Sequence, residues 1–351
     1  LKKQRRIRDY GIIIGDLPTG NLNKITDVKG IKVGHCTIDT NENKTGVTVI
    51  LPMEDNIFKN KLVAASYVLN GFGKTMGLVQ IEELGTLESI IALTNTLNVG
   101  LVHDAVVDYM IEQCKNDNIK LESINPIVCE CNDSYLNNIQ TRAVGKKHVY
   151  KAIEDAATDF LEGDVGAGKG MRCHYLKGGI GSASRVITID NHTYTVGVLV
   201  LSNHGRLEDL IIDGNKIGRK ISERLNNESL VDKGSIISII ATDLPLSSRQ
   251  LKRVCKRAGV GLARLGSFIG HGSGEVMIAF STGNILKDDD SDIVNVKILK
   301  EDKIDIVFRA VAECEEEAVL NSMITCGKVI GRNNNTLEIL SSYIEQNGYH
   351  R

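Results

Sequence analysis

Apolar and polar residues alternate along Ile31-Lys32-Val33-Gly34-His35-Cys36-Thr37-Ile38, and again along Thr45-Gly46-Val47-Thr48-Val49-Ile50-Leu51 after a polar turn around Asn41. That pattern predicts a β-hairpin. An apolar segment from Leu62 to Leu69 leads into the glycine-rich bend 70–77, after which Leu78 to Ile81 reads as a strand. Ile90 to Thr96 reads as a buried strand with a polar end. Leu101 to Cys114 follows as a helix, because Val102, Ala105, Val106, Tyr109 and Met110 fall on one face at helical spacing. A strand from Ile127 runs into the polar turn Glu130 to Asn138, and Val149, Ile153, Ala156, Ala157 and Phe160 mark a second helix. Thr193 to Leu201 is a strand ending in Ser202-Asn203-His204-Gly205. A capping box at Ser247 to Gln250 opens a long helix with Leu251, Val254, Cys255, Ala258, Leu262 and Leu265 inward. Val276 to Phe280 is a further strand, the loop Lys287 to Asp292 is acidic and expected to be mobile, and helices from Ile304 to Met323 and Thr336 to Gln346 close the chain.

One stretch joins a polar approach directly to a β-branched run. From Ser222 to Lys233 the chain is polar and poor in strand signals, and Gly234-Ser235-Ile236-Ile237 then begins a buried strand. Glycine before Ser235 supplies backbone freedom, so its carbonyl can be held open to attack by the neighbouring hydroxyl. On these residues alone a plain turn is the favoured reading. An asparagine at a strand end, as at Asn203, is a good donor to an oxyanion. Ser273 and Glu275, two apart where a strand begins, point to the same side of a sheet.

Composition narrows the class. With 351 residues, 42% hydrophobic and 25% charged, the chain suits a globular protein of one large layered domain or two ordinary ones. A net charge of -2 gives no reason to expect nucleic acid or an anionic membrane as partner. No run approaches the roughly 18 apolar residues of a membrane span. The basic start Leu1 to Arg6 precedes too short an apolar stretch for a signal peptide. The eight cysteines lie scattered in apolar patterns, as reduced thiols do, so a cytoplasmic location is expected.

Several motifs fall away on their context. Gly73-Lys74-Thr75 lacks the earlier glycine of a phosphate loop. Gly163-Asp164-Val165-Gly166-Ala167-Gly168-Lys169-Gly170 fits GxxxxGK but ends in glycine where a Ser or Thr holds magnesium, and it follows a helix. The seven glycines from Gly163 to Gly181 instead suggest close approach to another strand or to a substrate. Cys129-Glu130-Cys131 has the wrong spacing for zinc. His35 reads as a satisfied strand residue, and His103 with Asp104 as surface; no metal or cofactor is expected. The basic stripe of Lys252, Arg253, Lys256, Arg257 and Arg264 reads as a solvated helix face.

Seven segments in order carry a family resemblance. They are Ile25 to His35, Leu93 to Gly100, Val165 to Gly168, Lys177 to Arg185, Val198 to Val200 with Asn203 and Gly205, Gly234 to Ile237 with Ala241 to Leu246, and Gly261 to Arg264 with Gly272 to Glu275. Together they resemble the self-processing serine aminopeptidases of the L-aminopeptidase/D-esterase and β-peptidyl aminopeptidase type. The resemblance implies an α+β fold, a four-layer αββα sandwich similar to N-terminal-nucleophile hydrolases with different connectivity. It implies self-cleavage between Gly234 and Ser235 of a single 1–351 domain, giving subunits 1–234 and 235–351, and a homo-oligomer, a tetramer of two-chain units.

By the same resemblance Ser235 is the nucleophile, Asn203 the oxyanion asparagine, and Ser273 with Glu275 the pair that tunes the nucleophile. Tyr135 corresponds to an oxyanion tyrosine and Glu130 to the partner of the substrate's amino group. The implied substrates are short peptides, amides or esters with a free amino terminus. An acyltransferase of the ornithine acetyltransferase type, where threonine is usual, and a matured but non-catalytic binding assembly are the alternatives. The pattern departs at Lys74, where the better-known peptidases carry an acidic residue, and after Glu130, where they place an aromatic.

Overall fold

The computed structural model of the chain describes residues 4–225, 233–289 and 291–346. Positions 1–3 of the basic start, 226–232 of the polar approach to Ser235, Asp290 of the acidic loop and the last five residues lie outside the described residues.

The predicted hairpin forms as β1 (Lys32–Asp39) and β2 (Lys44–Leu51). With β5 (Ile91–Asn95) and β6 (Ile127–Cys131) it makes a four-stranded sheet in the order β1-β2-β5-β6. A six-stranded sheet is built from β3 (Asn60–Gly71), β4 (Thr86–Leu87), β9 (Ile180–Ile189), β10 (His192–Asn203), β11 (Lys233–Thr242) and β12 (Gly272–Lys287), ordered β4-β3-β12-β11-β10-β9. The short β7 (Arg172–Cys173) and β8 (Leu176–Lys177) pair separately. Helices α1 (Leu78–Leu84), α2 (Val99–Asn116), α3 (Lys146–Glu154), α4 (Ile217–Leu225), α5 (Ser248–Arg264), α6 (Asp305–Ile324) and α7 (Leu340–Gln346) complete the described chain.

Strand alternation sorts the core into two layers. Ile236 and Ile240 of β11 join Val196, Val198 and Met277 against the apolar faces of α5 and α6. Ile237, Ile239 and Ala241 point the other way and meet Val49, Leu93 and Val128 of the four-stranded sheet, whose outer face α2 and α3 cover. The order is therefore helix, sheet, sheet, helix: the expected αββα sandwich. Among the described residues no helix is long and apolar enough to cross a membrane.

Three local expectations change. Leu78 to Ile81 is the start of α1, closed at both ends by Gly77 (φ 88°) and Gly85 (φ 66°); a short apolar run carries no period that separates strand from helix. The second helix stops at Glu154, because Ala157 leaves it to exchange backbone hydrogen bonds of 3.0 Å with Val33. Part of the supposedly irregular approach to Ser235 is α4, which buries Ile217 and Ile221.

The glycines from 163 to 181 serve backbone packing. A Cβ on Gly179 would stand 2.0 Å from the Gly163 carbonyl oxygen, and one on Gly181 would stand 2.0 Å from that of Ala318 on α6. Lys169, the lysine of the false phosphate loop, is paired with Asp39 at 2.8 Å and Asp164 at 3.0 Å. His35 is satisfied, with Nδ1 at 2.9 Å from Thr48 Oγ1 and Nε2 at 3.0 Å from the Leu161 carbonyl; burial lowers its pKa to about 4.

Candidate active site

Ser235 lies at the beginning of β11, inside the six-stranded sheet. Asn203, the last residue of β10, is its antiparallel partner on one side, and Gly274 of β12 is its parallel partner on the other. Gly234 carries φ 154°, and a Cβ there would lie 1.8 Å from the Asn203 carbonyl oxygen, so this position admits only glycine. The bond between Gly234 and Ser235 is thus clamped between two strand ends. Ser235 shares the parity of Ile237 and faces the gap between the sheets, where Cys131 Sγ donates to its carbonyl at 3.4 Å and to that of Leu201 at 3.5 Å.

A cleft of about 440 Å³ opens over this serine. Its walls include Gly234, Ser235, Asn203, Glu130, Tyr135, Lys74, Thr96 and Arg172. Four of the six sequence-assigned functional residues therefore meet on one surface: Ser235, Asn203, Glu130 and Tyr135. The other two, Ser273 and Glu275, lie one strand away with no exposed surface, and the Ser273 hydroxyl donates to the Glu275 carboxylate as their spacing predicts. Ser273 is the register partner of Gly234, beside the Gly234-Ser235 bond. Its parity is that of Met277 on the helix side, and among the described residues no hydrogen bond joins its hydroxyl to that of Ser235 in the uncleaved chain.

Asn203 is held from both ends of its amide. The Arg172 backbone N–H donates to Oδ1 at 2.8 Å, which identifies the oxygen, and Nδ2 donates to the Asn132 carbonyl at 3.1 Å. A primary amide has two N–H donors, so the second remains for the cleft. Glu130 is 4% exposed; its Oε1 accepts from the Lys74 backbone N–H at 3.1 Å and its Oε2 from the Thr96 hydroxyl. No lysine or arginine pairs with it among the described residues. Cys129 and Cys131 on either side of it are buried thiols whose pKa values burial raises, to about 12 for Cys129. Tyr135 is partly exposed, and the Arg172 guanidinium stacks between its ring at 4.9 Å and that of Tyr175 at 4.3 Å.

Sequence reasoning passed over Arg172, although a lone charge inside a glycine-rich loop is a usable signal. Thr96 entered as a polar strand end within the Leu93 to Gly100 segment, with no role assigned to it. A hollow of about 490 Å³ near Arg6 and Lys24 is larger, but its charges are paired, Arg6 with Glu162 and Lys24 with Asp159.

A sequence profile of peptidase family S58 matches residues 23–337. The chain belongs to peptidase family S58. It is 34% identical to the β-peptidyl aminopeptidase BapA of Sphingosinicella microcystinivorans, covering 95% of this chain and 89% of that protein. Among solved structures, a Pyrococcus horikoshii OT3 protein superposes with a TM-score of 0.91 at 46% identity, over 97% of this chain and 98% of the other. The L-aminopeptidase D-Ala-esterase/amidase of Ochrobactrum anthropi, described as a variant of the Ntn-hydrolase fold, does so at 0.89 and 33% identity over 99% of each. The S58 chain described here is accordingly a hydrolase of the serine aminopeptidase kind, with the cleft around Ser235 as its candidate active site.

Proposed function

We propose that this S58 peptidase cleaves itself between Gly234 and Ser235 and then removes N-terminal amino acids from short peptides, amides or esters through an acyl-enzyme on Ser235. The observation that carries the reading is the register: Asn203 stands directly across from Ser235 at the mouth of a cleft that Glu130 also lines.

In maturation, Ser235 Oγ adds to the Gly234 carbonyl carbon and the Gly234–Ser235 C–N bond breaks. The nitrogen takes the hydroxyl proton, and water hydrolyses the resulting ester to a Gly234 carboxylate and a free Ser235. The new α-amine, with an ordinary pKa of about 7.7 to 8.0, is the base that serine lacked. It accepts the Ser235 hydroxyl proton as Oγ attacks a substrate carbonyl, and returns it to the leaving nitrogen. The Ser273 and Glu275 pair, flanking the position where the amine is released, stabilises its protonated form. The free N–H of Asn203 meets the oxyanion, a contact typically worth about 100- to 1000-fold in rate. Tyr135 is the second candidate donor. Glu130, a buried carboxylate that no cation among the described residues pairs, takes the substrate's ammonium group.

The family match favours hydrolysis over acyl transfer. The absence of any disulfide among the eight free cysteines supports a reducing, cytoplasmic setting. The exposed apolar residues Phe72, Val79 and Leu84 support association into a homo-oligomer.

Intact mass after expression tests the core of the proposal. Wild type is expected as fragments of 234 and 117 residues, and Ser235→Ala as one chain without turnover of aminoacyl anilides. An uncleaved wild type removes the maturation step. A cleaved protein no faster than Ser235→Ala leaves the binding-only alternative.

A further inference from the structure

Behind the cleft wall the fold buries three side chains that peptide hydrolysis does not use. Cys173, His174 and His204 are each fully buried, and one donor atom from each lies within 4.8 Å of the other two. Cys173 and His174 directly follow Arg172, whose backbone N–H holds Asn203 Oδ1, and His204 directly follows Asn203 itself. The cluster therefore joins the two chain segments that fix this asparagine.

The donors are oriented for a shared ligand. His174 Nδ1 is 2.8 Å from the Arg206 carbonyl, which makes Nδ1 the protonated nitrogen and leaves Nε2 with its lone pair. A backbone carbonyl on the far nitrogen is the usual outer support of a metal-binding histidine. His204 Nδ1 stands 3.9 Å from Cys173 Sγ, while its Nε2 is buried and has no hydrogen-bond partner among the described residues. A half-turn of the ring only exchanges which nitrogen is unmet. The backbone also makes room: His174 sits at φ 46°, and a Cβ on Gly205 would come within 2.5 Å of its ring.

Three atoms mutually within 4.8 Å fall within about 2.8 Å of a common centre. Zinc bonds of about 2.3 Å to sulfur and about 2.0–2.1 Å to nitrogen are reached by shifts below an ångström. One thiolate with two imidazoles suits a thiophilic ion and is foreign to calcium or magnesium. We propose that Cys173, His174 and His204 form a binding site for a thiophilic d¹⁰ ion, Zn²⁺ or Cu⁺, which fastens β7 to the end of β10 behind Asn203. The site is buried, so the ion enters as the chain folds.

The test uses the whole protein, expressed in medium supplemented with zinc, copper or cobalt, passed over a chelating resin and counted for metal by mass spectrometry. The expected result is about one zinc or copper ion per chain and, for cobalt, a thiolate-to-metal charge-transfer band in the near ultraviolet. Cys173→Ala and His204→Asn are expected to retain less than about a tenth as much and to lose the band, whereas Cys36→Ala, a half-buried thiol elsewhere, keeps both. Retention of copper without zinc supports the site and identifies the ion. If the wild type retains neither ion and gives no cobalt band, the proposal is overturned, whatever the variants do. Full retention by a well-folded Cys173→Ala overturns it equally.

Discussion

Buried carboxylates on α6 and at the end of β6 meet different fates. On α6, Glu313 and Glu317 have almost no exposed surface and are matched by cations: Arg185 reaches Glu313 at 3.0 Å and Glu317 at 2.7 Å, and Arg8 adds a second contact to Glu317 at 2.7 Å. Burial alone would raise the Glu317 pKa, yet Arg8 and Arg185 hold it below the ordinary value. Across the molecule Glu130 is nearly as buried, but a backbone N–H and a hydroxyl are its partners, and it borders the cleft. Where charge is cancelled inside the fold it ties elements together, here the N-terminal segment, β9 and α6. Where it is only solvated by neutral donors, its field remains available to a cation that enters.

The comparison breaks most directly at Arg185. Arg185→Ala leaves two buried carboxylates without their shared partner, and losing one side of a buried pair typically costs about 3–5 kcal/mol. Urea denaturation measures it, and a loss below about 1 kcal/mol would mean that α6 does not depend on the pairing. The folded fraction should keep its turnover, since Arg185 is remote from the cleft.

Glu315 sharpens the contrast on the same helix. Among the described residues its one hydrogen-bond partner is the Ser238 hydroxyl at 2.6 Å, and burial raises its pKa from 4.5 to about 8. The folded chain therefore keeps a proton that the unfolded chain has already lost. Stability from this group is complete below pH 4.5, declines as pH rises, and is gone above pH 8, a span on the order of 5 kcal/mol. Glu315→Gln should flatten that decline. Denaturation midpoints of the two proteins at pH 5 and pH 8 give the difference, and parallel curves would sink the assignment.

The fold and the cleft were legible to different depths. α2 and α5 follow from period and capping, because each buries one apolar face and shows polar residues on the other, whereas β11 follows from its β-branched run because both of its faces are buried. Seven glycines in a row of loops announced close packing, but only neighbours distant in sequence, Gly163 against Gly179 and Gly181 against α6, explain which atoms they admit. α1 was misread because its seven residues hold two apolar positions facing out, Val79 and Leu84, whose exposure no local pattern reveals. Ser235, Asn203 and Glu130 were named from motif order, and register then set Asn203 opposite Ser235. The Ser273 parity was not legible: same-side geometry with Glu275 holds, but which side depends on the pairing of β11 with β12.

Glu130→Gln isolates the unpaired charge. Glutamine keeps the length: its oxygen still accepts from the Lys74 N–H and its NH2 donates to the Thr96 hydroxyl oxygen, while the negative charge is lost. If that charge holds the substrate's ammonium group, KM for an aminoacyl anilide should rise by about 10- to 100-fold, the typical worth of a charge-assisted hydrogen bond of about 1.5–3 kcal/mol, with kcat within a few-fold. An N-acetylated substrate should be poor for both enzymes, since it brings no cation to either. Stability should stay level or rise, because an uncompensated buried charge is removed; this is the opposite sign from Arg185→Ala. A fall in denaturation midpoint with KM unchanged would reassign Glu130 to the frame, alongside Glu313 and Glu317, and remove the distinction between the two sets.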